Sequence, residues 1–169
     1  MAVSLRRTGT FSCEVSFSTP VSPEVAFDYL ADFSKHPEWS QGLLSMTQTS
    51  VGEPGPGTTY RTEESAAGSK DITVSEITEL QRPRRIAWKA QTEKQSWPTG
   101  ARSIWSFDIE QEGTGSRVTQ RMELIPASRA MVRALFFVAD TFFGGTGATP
   151  KSVRKNAERL EQRLASMKS

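Results

Sequence analysis

The sequence predicts an α+β fold with seven strands: one strand, a short helical stretch, a meander of six strands and a long C-terminal helical region. Three observations carry this prediction. Residues 11–19 alternate, with Phe11, Cys13, Val15 and Phe17 on one side and Ser12, Glu14, Ser16 and Ser18 on the other, the period-two pattern of a half-buried strand. From residue 43 to 125, turn-forming clusters recur at short intervals with no helical periodicity between them, which makes an antiparallel meander the default. From Ser128 onward the apolar spacing changes to three and four residues, the period of a helix.

Each element has its own signals. Residues 1–9 read as an N-terminal tail and 10–169 as a single domain. Ser22 before Pro23 is an N-cap followed by a first-turn proline, and Val25, Ala26, Tyr29 and Leu30 form the apolar stripe of the helix they open. Pro37 stops or turns that helix. The six meander strands are placed at 43–50, 57–65, 70–80, 84–92, 101–111 and 116–125. Between them lie Gly52–Gly57, Ala67–Ser69, Gln81–Pro83, Trp97–Gly100 and Gly113–Gly115, all rich in glycine, proline or serine. Met131, Leu135, Val138 and Phe142 form one helical stripe, and Val132, Phe136, Ala139 and Phe143 the next. Gly144, Gly145 and Gly147 interrupt this helix near 144–149. Thr149 and Pro150 then start a second segment with a stripe at Val153, Ala157, Leu160, Leu164 and Met167.

The overall charge is nearly balanced, with 21 Lys and Arg against 19 Asp and Glu, but residues 151–169 hold a local +4 and the remainder sums to −2. Positive charge confined to one terminal helix does not track phosphates along a face, so nucleic acid is not an expected partner. The lone Cys13 cannot form an intramolecular disulfide, and no Cys or His cluster offers a zinc site, so neither metal nor cofactor is expected. No signal-peptide pattern follows Arg6 and Arg7, and the longest apolar stretch, 132–143, is interrupted by Arg133 and Asp140 and falls short of a bilayer span. The expectation is a cytoplasmic protein, monomer or homodimer, without a transmembrane segment.

Several local patterns resemble one known group. Val25–Phe33 leading into His36-Pro37-Glu38-Trp39, Gly57-Thr58-Thr59-Tyr60-Arg61 after a Gly-Pro turn, Ser75–Leu80 followed by Arg82–Trp88, and Gly115–Gln120 are similar to the polyketide cyclase/dehydrase group of the START-like (SRPBCC, Bet v 1-like) superfamily. The resemblance covers most of residues 10–143. It implies a helix-grip fold: two short helices after strand 1, and a curved seven-stranded antiparallel sheet wrapped around the long C-terminal helix with an apolar cavity between. It implies little about reaction, because this superfamily holds carriers, receptors and cyclases alike. The Phe-rich segment and glycine break at 136–147 depart from the uninterrupted basic helix of its relatives.

Strand parity then assigns the cavity wall. Ile86, Trp88 and Ala90 share the inner face of their strand, and Ser103, Trp105, Phe107 and Ile109 share that of theirs, while Ser106, Asp108 and Glu110 meet solvent. Gln120 lies with Val118, Met122 and Leu124 on an inner face, where its amide needs a hydrogen-bond partner from a ligand or from the protein. If Tyr60 faces inward, so do Thr62 and Glu64; Glu64 is then the nearest carboxylate, either a general acid or base or a solvated strand-end group. The only histidine, His36, precedes Pro37 in a turn and is assigned a capping or surface role. Trp39 packs beneath that turn, Phe136 and Phe143 enter the cavity roof, and Phe137 lies off the apolar face. Trp97 and Arg102 stand near the cavity edge.

Three functions are compatible with these residues. A ligand-binding domain for a small hydrophobic, ring-containing or lipid-like metabolite requires only the cavity. A polyketide aromatase/cyclase or dehydratase would add a base such as Glu64, with Gln120, Tyr60 or Arg102 stabilising an enolate oxygen. An interaction module would use the exposed Phe residues or the basic tail, with transient membrane contact as one form. The first is favoured, because no paired acid/base or nucleophile signature is present.

Overall fold

The computed structural model describes residues 3–9, 11–66, 69–92, 102–125 and 150–168. Eight strands form one antiparallel sheet in the order β1-β2-β8-β7-β6-β5-β4-β3: β1 Ser4–Gly9, β2 Ser12–Thr19, β3 Leu43–Gln48, β4 Thr59–Ala66, β5 Ser69–Gln81, β6 Arg85–Thr92, β7 Arg102–Glu112 and β8 Gly115–Ile125. Helix α1, Pro23–Ala31, and a 3-10 helix, Phe33–Glu38, follow β2; helix α2 spans Pro150–Ala165. The predicted meander strands agree with β3 to β8 to within two residues at each boundary.

The sheet has one strand more than the seven expected, because residues 4–9, expected as tail, form β1. All six of its residues are exposed, and Leu5 is its one large apolar side chain. Its pairing with β2 is set by main-chain hydrogen bonds, with Arg6 paired to Glu14 at 3.1 Å. An edge strand without an apolar face leaves no periodic trace in the sequence.

Side-chain chemistry starts and stops the helices. Ser22 Oγ accepts a hydrogen bond from the Val25 N–H at 3.4 Å, and Pro23 occupies the first turn of α1. The Asp32 carboxylate accepts from the Ser34 N–H at 3.2 Å and opens the 3-10 helix. Helix α1 buries Ala26, Phe27, Tyr29 and Leu30 and packs on β6, β7 and β8. Helix α2 buries Val153, Ala157, Leu160 and Leu164, the stripe read from the sequence, and packs on β2 and β1. Asn156 of α2 accepts from the Gln41 N–H at 2.9 Å and so ties the helix to the connection before β3. Arg163 adds a contact to Glu38, which also accepts from the Tyr29 hydroxyl at 3.1 Å. The helix break near 144–149, the Thr149 cap and the Phe-rich segment with Phe136, Phe137, Phe142 and Phe143 lie outside the described residues, as does Trp97.

On the outer face of the sheet an alternating ladder of charge runs Arg6, Glu14, Arg121, Asp108, Arg85, Glu79 across six strands. Ser106 was expected to meet solvent on this face and is instead buried. It sits in register between Ala87 and Arg121, so it is a short side chain shaded by the long side chains of the ladder.

The β7–β8 hairpin closes tightly against the end of β2. A Cβ added to Gly115 would stand 2.1 Å from the Thr19 carbonyl oxygen and 3.0 Å from Pro20 Cα. Gly115→Ala must therefore move backbone, and we expect a loss of about 2 kcal/mol, the usual scale of overpacking. A lowered urea midpoint with unchanged slope checks this; an unaltered midpoint refutes it.

Candidate ligand-binding site

The inner face of the sheet is built in register rows. One row carries Ile77, Trp88, Trp105, Met122 and Cys13 across five strands, and the next carries Leu80, Ile86, Phe107, Gln120 and Val15. A third runs through Gln48, Tyr60, Ser75, Ala90, Ser103 and Leu124. Parity thus puts Trp88, Ala90, Ser103, Trp105, Phe107, Gln120, Met122, Tyr60 and Thr62 on one concave surface. Arg102 does not join them: it is exposed on the opposite face, with Ile104.

Burial divides this surface in two. Toward α1, Ile86, Phe107, Ile109 and Val118 are completely enclosed. Toward the other end Ala90, Ser103, Trp105 and Leu124 are only half-buried. At the boundary sits an aromatic cluster. Phe33 stacks on Tyr60 at 4.8 Å and on His36 at 4.6 Å, and meets Trp88 edge-on at 5.3 Å. Trp39 packs edge-on against Phe107 at 5.9 Å. Trp88 and Trp105 lie 6.1 Å apart with only 8° between their planes.

His36 is part of this cluster, not of the surface. It is 2% exposed, and Nε2 pairs with the Leu30 carbonyl at 2.8 Å, so the capping half of its expected role stands and the surface half does not. Residues 33 and 36 stand one turn apart in the 3-10 helix, which stacks the imidazole on Phe33. Burial pulls its pKa down to about 4, against smaller raising effects from the Leu30 carbonyl and the Asp32 charge.

Polar groups are interleaved with the apolar ones. The Trp105 indole N–H donates to Ser103 Oγ at 2.9 Å, leaving the flat faces of the indole as its contact surface. Glu64 is half-buried rather than solvated; burial pushes its carboxyl above the usual range, the Asp71 charge adds to that, and a hydrogen bond from Thr73 works against it. Tyr60 is raised by burial and, to a lesser extent, by the Asp32 charge. Among the described residues, Gln120 Oε1, Trp39 Nε1 and Thr62 Oγ1 are buried without a hydrogen-bond partner. A recess of about 430 Å³ beside Tyr60 is lined by Phe33, Ser34, Met46 and Gln48 among others. A second, of about 500 Å³, involves Val74, Glu76, Lys89 and Arg102 and belongs chiefly to the outer face.

Residues 10–165 match the profile of the family described as polyketide cyclase / dehydrase and lipid transport. The chain belongs to that family. The fold of this family member is shared with solved structures of low sequence identity. TTHA0849 from Thermus thermophilus superposes with a TM-score of 0.69 at 17% identity, over 94% of this chain and 99% of that one. Ara h 8.0201 gives 0.63 at 12% identity, over 96% and 99%. A START superfamily protein from Mycobacterium smegmatis gives 0.60 at 13%, over 93% and 99%. These likenesses establish the helix-grip, START-like fold. No curated protein matches the sequence of this family member. Among its described residues no helix is long and apolar enough to cross a membrane.

Two contributors to the site escaped the sequence reading. Phe33 is central to the aromatic cluster yet lies outside the apolar stripe of the preceding helix. Thr73, in register with Thr62, reaches Glu64 diagonally across β4 and β5, a contact fixed by register that no local pattern encodes.

Proposed function

We propose that the concave face binds a small hydrophobic, ring-containing or lipid-like metabolite, in the cytoplasm. The observation that carries this reading is Trp105. It is half-buried on the part of the face away from α1, its N–H is already satisfied by Ser103, and it lies parallel to Trp88. An indole whose polar edge is occupied offers a flat apolar face, and a planar ring stacks on it without leaving a polar group unpaired. The candidate lining comprises Trp39, Tyr60, Thr62, Trp88, Ala90, Ser103, Trp105, Phe107, Gln120 and Met122 from the described residues, with Phe136 and Phe143 as further candidates from outside them.

Titration with the neutral dye N-phenyl-1-naphthylamine tests this. The dye's emission should rise on binding, and Trp105→Ala should weaken binding about tenfold, the value of one lost aromatic contact. A dye that gives no signal, or binds the variant as tightly, contradicts the reading.

Glu64 favours a second reading, polyketide aromatase/cyclase or dehydratase activity. A carboxyl whose pKa is raised toward neutrality is better matched to proton transfer, and Glu64 shares its strand face with Tyr60 and Thr62. Turnover of a poly-β-ketone mimic, abolished by Glu64→Gln, is the expected result under that reading. Wild-type protein that retains a ligand in native mass spectrometry and never turns the mimic over favours the binding domain.

A further inference from the structure

We infer that the ligand carries a hydroxyl group, held between Gln120 and Trp39; this rests on the ligand-binding reading above and names the ligand class for the same site. Gln120 stands in register beside Phe107 on the inner face, and the Trp39 ring packs on that same Phe107 from the connection after the 3-10 helix. The two side chains therefore border one aromatic ring from two different elements. Both are almost completely buried, at 2% and 3% exposure, and neither Gln120 Oε1 nor Trp39 Nε1 has a partner among the described residues.

Their chemistry is complementary. An amide oxygen only accepts and an indole N–H only donates. A single atom that satisfies both must donate and accept, which a hydroxyl oxygen does. A ketone or ether oxygen satisfies Trp39 and leaves Gln120 unpaired. A carboxylate does the same and brings an uncompensated charge into an apolar surround. An ammonium group satisfies Gln120 and leaves the indole unpaired. A water molecule has the same donor and acceptor capacity, so a ligand hydroxyl replaces it bond for bond, whereas a ketone cannot.

Neither atom reaches solvent in this conformation, so a side chain covering them must move for the hydroxyl to enter. The backbone on either side of Trp39 is anchored, by His36 to the Leu30 carbonyl and by Gln41 to Asn156. Leaving either partner unmatched at a buried site weakens binding by about tenfold or more.

Equilibrium dialysis of the full chain against 2-naphthol and 2-methoxynaphthalene tests the inference, since the two share a ring system and differ in the donor. We expect 2-naphthol to bind at least tenfold more tightly, and that preference to fall below threefold in Gln120→Met and in Trp39→Phe. Thermal melts report whether each variant is folded; if one is not, the other carries the comparison. Equal binding of both compounds by the wild-type chain, preference for the ether, or a preference unaltered in a folded variant overturns the hydroxyl assignment while leaving the ligand-binding reading intact. Failure of both compounds to bind overturns the hydroxyl assignment, and the dye titration with Trp105→Ala then decides the ligand-binding reading.

Discussion

Phe107→Ala is expected to destabilise the protein by about 3–5 kcal/mol, the range for deleting a large aromatic side chain from a packed core. Phe107 has no exposed surface and is the common neighbour of His36, Trp39 and Trp88, at ring distances of 6.5, 5.9 and 5.6 Å. Three of its neighbours are themselves rigid rings, so the hole left by its removal cannot be filled by the rotamer changes available to a leucine or methionine. The loss should sit at the upper end of the range for that reason. Urea unfolding followed by tryptophan fluorescence measures it. A midpoint shift equivalent to less than about 1 kcal/mol would mean that the cluster collapses around the vacancy and that Phe107 is not its keystone.

Acidification should destabilise the fold through His36. Its folded pKa is about 4 and the ordinary value is 6.5, so the unfolded chain takes up a proton at a higher pH than the folded chain does. The sign follows: the stabilisation is fully present above the unfolded pKa, falls as pH drops below 6.5, and is lost once pH passes below 4. Across that window the total comes to roughly 3 kcal/mol. The groups around the ring are Phe33, Trp39, Trp88 and Phe107, and among the described residues the Asp32 charge is the only ionised group that acts on it. Glu14, Asp28 and Asp32, whose pKa values are lowered in the fold, also lose stabilisation on acidification. His36→Gln isolates the histidine because the amide can still donate to Leu30 while lacking a titrating group. Denaturation at pH 7 and pH 4 should show the wild type losing roughly 3 kcal/mol more than the variant. Parallel losses would mean that His36 charges in the folded state without cost.

The sheet was legible because its strands are half-buried and therefore alternate. Trp88, Trp105, Phe107 and Gln120 could be placed on one face from parity alone, and the register rows agree. Strand β1 was not legible, since an edge held by main-chain bonds needs no apolar pattern. The site was readable only where it depended on a single strand. The orphaned pair of Gln120 and Trp39 required knowing that residues 39 and 107 touch, and Glu64 required its cross-strand neighbours Asp71 and Thr73. His36 shows the same limit in reverse: its neighbours in sequence suggest a surface turn, while its neighbours in space are four aromatic rings.

The charge ladder on the outer face has a consequence for how this sequence can drift. Glu14, Arg121, Asp108 and Arg85 each serve two partners of opposite sign. The contacts range from exposed to partly buried, and a single surface ion pair contributes only about 0.2–1 kcal/mol by itself. Removing Arg121, however, leaves Glu14 and Asp108 as two carboxylates bordering one gap, so an attraction is replaced by a repulsion. Neutral change on this face is therefore expected to arrive as paired exchanges of sign across neighbouring strands, and homologues should carry the ladder whole, inverted or absent, seldom broken at one rung.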